Sequence, residues 1–210
     1  MIKNYDFFVF DFDDTLIETG DLHRHAYEMA LQNTNLNTAF NYGELAGIDT
    51  NTAFQSLGFN DQESQKLTIL KRSYYDQLTK ESLPQWVPGM QEVLDALDAV
   101  NLSYAIVSSG SRIRILHILM ELNSLDRFDF IVSRDDVETS KPNPEPYLSA
   151  LSRMRVSADK ALVIEDSLNG YISASTAGFA VWQLTRTEMD DIFSPISGDS
   201  NELKEMILGK

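Results

Sequence analysis

The chain has 210 residues, is 43% apolar, carries a formal net charge of -15 and contains no cysteine. Its length suits one large domain, or a domain with a smaller insert, and its apolar share argues against disorder over most of that length. The charge argues against nucleic acid and anionic membrane surfaces as partners, and the missing cysteines exclude disulfides, thiolate nucleophiles and Cys-ligated zinc.

The N-terminal stretch Tyr5 to Phe10 is short, apolar and rich in aromatics, which predicts a buried strand. It runs into Asp11-Phe12-Asp13-Asp14, three carboxylates within four residues. While the backbone stays extended, Asp11 and Asp13 leave it on the same side. Two such carboxylates repel, so one is protonated or a cation is held between them. Oxygen ligands alone suit a hard ion such as Mg2+. The plainer alternative is a solvated acidic turn. Asp6, Asp11 and Asp13 also interrupt any leader-like pattern, and no stretch approaches a membrane span, so a soluble cytoplasmic protein is expected.

After Leu16 comes a polar hinge, Glu18 to Asp21, in which Thr19 or Asp21 is placed to cap the next helix. Residues 22–32 have apolar positions at helical spacing. Residues 41–83 are helical in pattern without a convincing strand, most clearly over 61–79, where a capping residue and a first-turn Glu open the segment. Pro84, Pro88 and Gly89 mark a boundary. Residues 17–84 therefore read as an all-helical insert, and residues 1–16 with 85–210 as the main domain.

Beyond Gly89 the pattern changes. Helix is expected over 90–100, 113–122, 147–154, 168–177 and 201–208, and strand over 104–107, 128–132, 161–164 and 179–183. Such alternation predicts right-handed crossovers and an α/β fold with a mainly parallel, Rossmann-like sheet covered on both faces.

In open parallel sheets the site lies at the carboxyl ends of the strands. Those ends read Asp11-Phe12-Asp13-Asp14, then Ser108-Ser109-Gly110, then Glu165-Asp166-Ser167, with Ser140-Lys141-Pro142 just before the helix near Glu145. Carboxylates, a hydroxyl with a Gly turn and a lysine together suit Mg2+ and a phosphoryl group. Taken singly, Ser108 is also a natural turn or capping residue. Lys141 alone reads as a solvated lysine, and Glu165-Asp166 as a helix cap facing the dipole.

These four stretches resemble the four motifs of the haloacid dehalogenase-like superfamily of phosphohydrolases. Asp11-Phe12-Asp13-Asp14-Thr15 matches the first motif, Ser108 the second, Lys141 the third, and Glu165-Asp166-Ser167 with Gly170 the fourth. They occur in the family's order over most of the chain. The insert resembles the helical cap of the subfamily that includes phosphoglycolate phosphatase and β-phosphoglucomutase.

The resemblance implies that Asp11 is a nucleophile forming an aspartyl-phosphate. It implies Asp11 and Asp166 as side-chain ligands of Mg2+, the Asp13 backbone carbonyl as a third ligand, and Glu165 in the outer shell through water. The Asp13 carboxyl would protonate the leaving alkoxide and later activate water, a role that its acidic neighbours Asp11 and Asp14 would favour. Ser108, Ser109 and Lys141 would bind phosphoryl oxygens. An aspartate at 13 also separates phosphate chemistry from dehalogenation, which has no ester to protonate.

Phosphatase and mutase are harder to separate. Thr19 and His23 stand where β-phosphoglucomutase has a threonine and a histidine beside its acid/base. In the segment 44–50, Gly47 matches the mutase loop, but Ala46 and Thr50 replace the lysine and arginine that grip a second phosphate. Without that grip, hydrolysis of a small phosphorylated metabolite, a sugar phosphate or phosphoglycolate, is the simpler outcome. Arg24, His25, Lys71 and Arg72 receive no role, and Phe54, Phe59 and Tyr74 read as packing. A monomer is the default expectation. A non-catalytic phospholigand-binding protein is the remote alternative, disfavoured by the presence of both Asp11 and Asp13.

Overall fold

The structure is a computed structural model that describes residues 5–32, 34, 40–45, 48–186 and 191–209. The chain divides into two compact units, Met1–Glu18 with Gln85–Lys210, and Thr19–Pro84.

The first unit is built on a six-stranded sheet: β1 (Phe7–Phe10), β2 (Ser103–Val107), β3 (Ile131–Val132), β4 (Ala161–Glu165), β5 (Ala180–Leu184) and β6 (Ile196–Gly198). The strands lie in the order β3-β2-β1-β4-β5-β6, and all pairs are parallel. After β3 the chain crosses back to the other side of β1. The order therefore reverses at β1 and β4, which makes their carboxyl ends the switch point of a doubly wound sheet.

Because side chains alternate along a strand, the sheet feeds two cores. Phe8, Phe10, Tyr104, Ile106, Leu162, Ile164, Trp182 and Leu184 face one side. There they meet helices α5 (Met90–Ala99), α6 (Arg112–Glu121) and α9 (Ser200–Leu208). Phe7, Val9, Ala105, Val107, Val163 and Val181 face the other, against α7 (Glu145–Arg153) and α8 (Leu168–Thr176). Both faces of β1 are fully apolar, and all four of its residues are buried. That is why the strand reads as a continuous apolar run rather than an alternating one.

The second unit consists, among the described residues, of α1 (Gly20–Leu31), a single turn α2 (Tyr42–Leu45), α3 (Thr50–Ser56) and α4 (Asp61–Glu81). Tyr27, Ala30, Leu31, Leu45, Ala53, Phe54 and Leu67 form its core, with Phe59 and Tyr74 packed against it. Asn60 and Glu63 cap α4 reciprocally, so the capping residue is Asn60, one position before the helix. Asp49 caps α3 by accepting from the Asn51 and Thr52 amides. At α1, Thr19 occupies the capping position but makes no capping bond with its side chain.

Three expectations shift. Ile17 and Glu18 lie with the α/β unit, because Ile17 bridges Trp86 and the Glu18 amide donates to the Gln85 carbonyl at 2.8 Å. The strand expected over 128–132 shortens to Ile131–Val132, preceded by a 3-10 turn at Leu125–Arg127. An unexpected sixth strand, β6, forms at the edge, where pairing with β5 rather than its own apolar content fixes it. No described helix is long and apolar enough to cross a membrane.

Candidate active site

The site begins where β1 stops. Asp11 still behaves as strand, its amide donating to the Ile164 carbonyl of β4 at 3.0 Å. Leu16 and Ile17 then return to the Phe12 carbonyl at 3.1 and 3.0 Å, closing a tight turn. Asp14 takes the left-handed conformation at φ 60°, a region that Asp tolerates better than most side chains. Its amide donates to the Ile17 carbonyl at 2.7 Å. The turn buries Thr15, whose hydroxyl donates to Asp166 Oδ1 at 3.0 Å. Pairing of β1 with β4 thus brings Asp11, Glu165 and Asp166 together, with carboxylate oxygens within 4.8 Å of one another.

A lysine sits among these acids. Lys141 is 4% exposed, so it is not a solvated surface lysine. Its Nζ donates to Asp11 Oδ1 and Glu165 Oε1, both at 2.6 Å, and to the Val107 carbonyl at 2.9 Å. The loop that carries it is tied at both ends. The Glu138 and Thr139 amides donate to the Glu145 carboxylate, and Ser173 Oγ donates to the Asn143 carbonyl. Burial alone would lower the lysine's pKa, but Asp11 and Glu165 overcome it and hold the group charged.

Glu165 is fully buried and its oxygens are taken. Oε1 accepts from Lys141 and from the Tyr147 hydroxyl at 2.8 Å; Oε2 accepts from the Ser167 hydroxyl at 3.0 Å. Gly170 makes this arrangement possible, since a Cβ there would lie 1.8–2.1 Å from the Glu165 carboxylate atoms. Ser167, not Glu165 or Asp166, caps α8 by accepting from the Gly170 amide at 3.1 Å.

Two of the carboxylates are held against their preference. Burial pushes the Asp11 pKa well above its usual value; Lys141 opposes this, and Glu165, Asp166 and Asp13 add to it. Burial, then Glu165 and Asp14, raise that of Asp166 to about 8, against the hydrogen bond from Thr15. A cation between them would relieve both. The donor set fits Mg2+: it is all oxygen, it is short of positive charge, and Asp11 and Asp166 are placed to offer two side-chain ligands. Glu165, committed to four donors on Lys141, Tyr147 and Ser167, fits an outer position.

The next strand end faces this cluster. Ser108 is buried after β2; its hydroxyl accepts from the Gly110 amide at 2.9 Å and lies 3.5 Å from Asp13 Oδ2. The Ser109 hydroxyl is buried and has no hydrogen-bond partner among the described residues. Arg114, from the first turn of α6, donates to Asp13 Oδ2 at 2.5 Å. Asp13 therefore meets a guanidinium as well as its acidic neighbour Asp11, whose carboxyl feels its charge.

The sequence pattern alone does not single out Arg114, Tyr147 or the part played by Thr15. Arg114 carried one legible signal: α6 has no acidic residue in its first turn and two arginines there, the reverse of what a helix dipole favours. Tyr147 carried none, being an apolar-face residue in an ordinary helix pattern.

In the helical unit, His23 and Lys71 are in contact. Lys71 is 4% exposed, with Nζ 2.7 Å from His23 Nδ1 and 4.7 Å from the centre of the Tyr27 ring. The His23 ring stacks on Tyr75 at 4.2 Å. The Thr19 carbonyl accepts from the His23 amide at 2.9 Å. Arg24 and His25 are exposed, Arg24 pairing with Asp21 at 2.8 Å, and Arg72 lies 3.7 Å from Asp49. Thr50 opens α3, while Ala46 and Gly47 lie outside the described residues.

Residues 8–184 match the family model described as haloacid dehalogenase-like hydrolase. The chain belongs to this family. Among curated relatives, it is 28% identical over 178 residues to the phosphorylated carbohydrates phosphatase of Thermotoga maritima, covering 81% of this chain and 80% of that one. Among solved structures, CbbY from Rhodobacter sphaeroides in complex with phosphate superposes with a TM-score of 0.80 at 21% identity, covering 95% of this chain and 96% of the other. The β-phosphoglucomutase of Clostridium difficile gives 0.79 at 20% identity, covering 98% and 100%. At such identities the solved structures speak for the shared fold, and the family match speaks for a hydrolase.

Proposed function

We propose that this hydrolase is a cytoplasmic, Mg2+-dependent phosphatase that cleaves a small phosphorylated metabolite through an aspartyl-phosphate on Asp11. The observation that carries the reading is the placement of Lys141, 2.6 Å from both Asp11 and Glu165 at adjoining strand ends. A buried lysine held there opposes protonation of the nucleophile and neutralises part of an arriving phosphoryl group.

Asp11 attacks phosphorus, and the ester bond to the leaving oxygen breaks. The Asp13 carboxyl gives that oxygen its proton and then takes one from the water that opens the phosphoenzyme. Ser108, Ser109 and Lys141 hold phosphoryl oxygens; the buried, unpartnered hydroxyl of Ser109 is a donor that such an oxygen would satisfy. Asp11, Asp166 and the Asp13 carbonyl would hold Mg2+, which would supply electrostatic stabilisation of the phosphoryl charge. The helical unit, Thr19–Pro84, acts as a cap that sets specificity. Similarity to the phosphorylated carbohydrates phosphatase of Thermotoga maritima supports a sugar phosphate as the substrate of this chain.

One observation favours a second reading, a phosphosugar mutase. Ala46 and Thr50 offer no second cationic grip, yet Lys71 places a buried cation beside His23 in the helical unit. A panel of phosphorylated sugars and small acids with Mg2+ separates the two. Free phosphate from one or a few compounds is expected, and Asp11→Asn should abolish it while leaving the fold intact. β-Glucose 1-phosphate converted to glucose 6-phosphate without free phosphate would establish the mutase instead.

A further inference from the structure

Arg114 stands out because of where it is and what it touches. It projects from the first turn of α6, where the helix dipole favours anions and disfavours a cation. Its neighbour Arg112 is committed elsewhere, to Asp136 and the Ile131 carbonyl. Arg114 instead crosses the Gly110 turn. A Cβ at 110 would lie 2.1 Å from its Nη2, so the glycine leaves the path for the guanidinium open. The side chain is only 12% exposed and ends on Asp13 Oδ2.

That oxygen has two donors converging on it, Arg114 Nη2 at 2.5 Å and Ser108 Oγ at 3.5 Å. A serine hydroxyl, a guanidinium and the start of a helix form a set suited to a phosphoryl oxygen. Here a carboxylate oxygen fills the place. A side chain meant for proton transfer to a leaving group cannot work while it is the anion in that set.

We propose that Arg114 is a phosphoryl-binding residue and that the Asp13 carboxylate holds its place until substrate arrives. The arriving phosphoryl oxygen takes over Arg114 and Ser108, and Asp13 is released toward the leaving oxygen. This inference rests on the phosphatase reading. It adds a fourth cationic or polar grip to Ser108, Ser109 and Lys141, and it makes acid/base function conditional on an occupied phosphoryl site.

Titration of the full chain with inorganic phosphate in the presence of Mg2+, by calorimetry, tests this without turnover. Arg114→Gln should weaken phosphate binding about tenfold or more, the worth of a charge-assisted hydrogen bond, and Arg114→Lys should recover part of the loss. With an ester substrate, KM should rise in step with the phosphate dissociation constant. Unchanged phosphate affinity in Arg114→Gln, with only kcat reduced, would overturn the proposal and leave Arg114 as a positioning residue for Asp13. Equal loss of binding in Gln and Lys variants, together with lowered thermal stability in both, would make it structural and also overturn it. A wild type that binds phosphate through Arg114 yet hydrolyses no ester would defeat the phosphatase reading alone.

Discussion

Two carboxylate sites in the α/β unit have opposite characters. Asp136, in the 3-10 turn after β3, accepts from the Ser133 amide at 2.8 Å, the Ser133 hydroxyl at 2.6 Å, Arg112 at 2.6 Å and Arg153 at 3.2 Å. Burial would raise its pKa, but the bonds from Ser133, Arg112 and Arg153 win and hold it well below the usual range. At the β1 and β4 ends, Asp11 and Asp166 are pushed the other way by burial and then by neighbouring carboxylates, Glu165 foremost among them. One site gives a carboxylate what it needs. The other withholds it, and stability withheld at a cluster of titratable groups is a mark of function.

Replacing Lys141 should have the largest effect. Lys141→Met leaves Asp11 and Glu165 buried side by side without their shared cation, which costs about 3–5 kcal/mol when one partner of a buried pair is removed. Chemical denaturation should show that loss, and phosphate release should fall to background. A variant that keeps turnover would remove the lysine from the phosphoryl site.

Asp136→Asn should come next, at about 1–3 kcal/mol, because it strips a charge from two arginines and changes nothing in the catalytic set. The sign with pH follows from the lowered folded-state pKa. Its contribution is present above the unfolded value of about 4 and is lost as pH falls through the folded value. Urea unfolding at pH 7 should separate wild type from variant, and the gap should narrow below pH 4. Loss of turnover per folded molecule would contradict the division between the two sites.

The smallest effect has the opposite sign. Asp166→Asn should stabilise the metal-free protein by about 1 kcal/mol, as removal of a functional strain often does. With a folded-state pKa near 8, Asp166 favours the folded state most below the unfolded value of about 4, and this is lost as pH rises through 8. Thermal melts in EDTA should therefore show wild type gaining on the variant as pH falls. Added Mg2+ should raise the melting temperature of wild type more than that of the variant. Equal shifts would remove Asp166 as a ligand.

Much of this architecture was legible because strand ends are legible. A run such as Phe7 to Phe10, buried on both faces, followed at once by Asp11 and Asp13 leaves little freedom in reading. Lys141 and Glu165 were found by the same logic, through their motifs. The sheet edges were harder: β6 has no apolar signature, and Ile131–Val132 is too short to show a period. Arg114 escaped because a helical arginine reads as solvated, and only the fold brings residue 114 to residue 13, 101 positions away. Tyr147 escaped because its hydroxyl matters and its ring disguises it as core.

Gly170 has no functional group, yet it reports on the fate of the chemistry. Its missing side chain is the volume that the Glu165 carboxylate fills, and Glu165 in turn anchors Lys141. A chain of this fold with any larger residue at that position must expel the carboxylate and lose the anchor, even with both aspartates of the first motif intact. For telling a working copy from a decayed one among sequences of this kind, the silent glycine is as informative as Asp11.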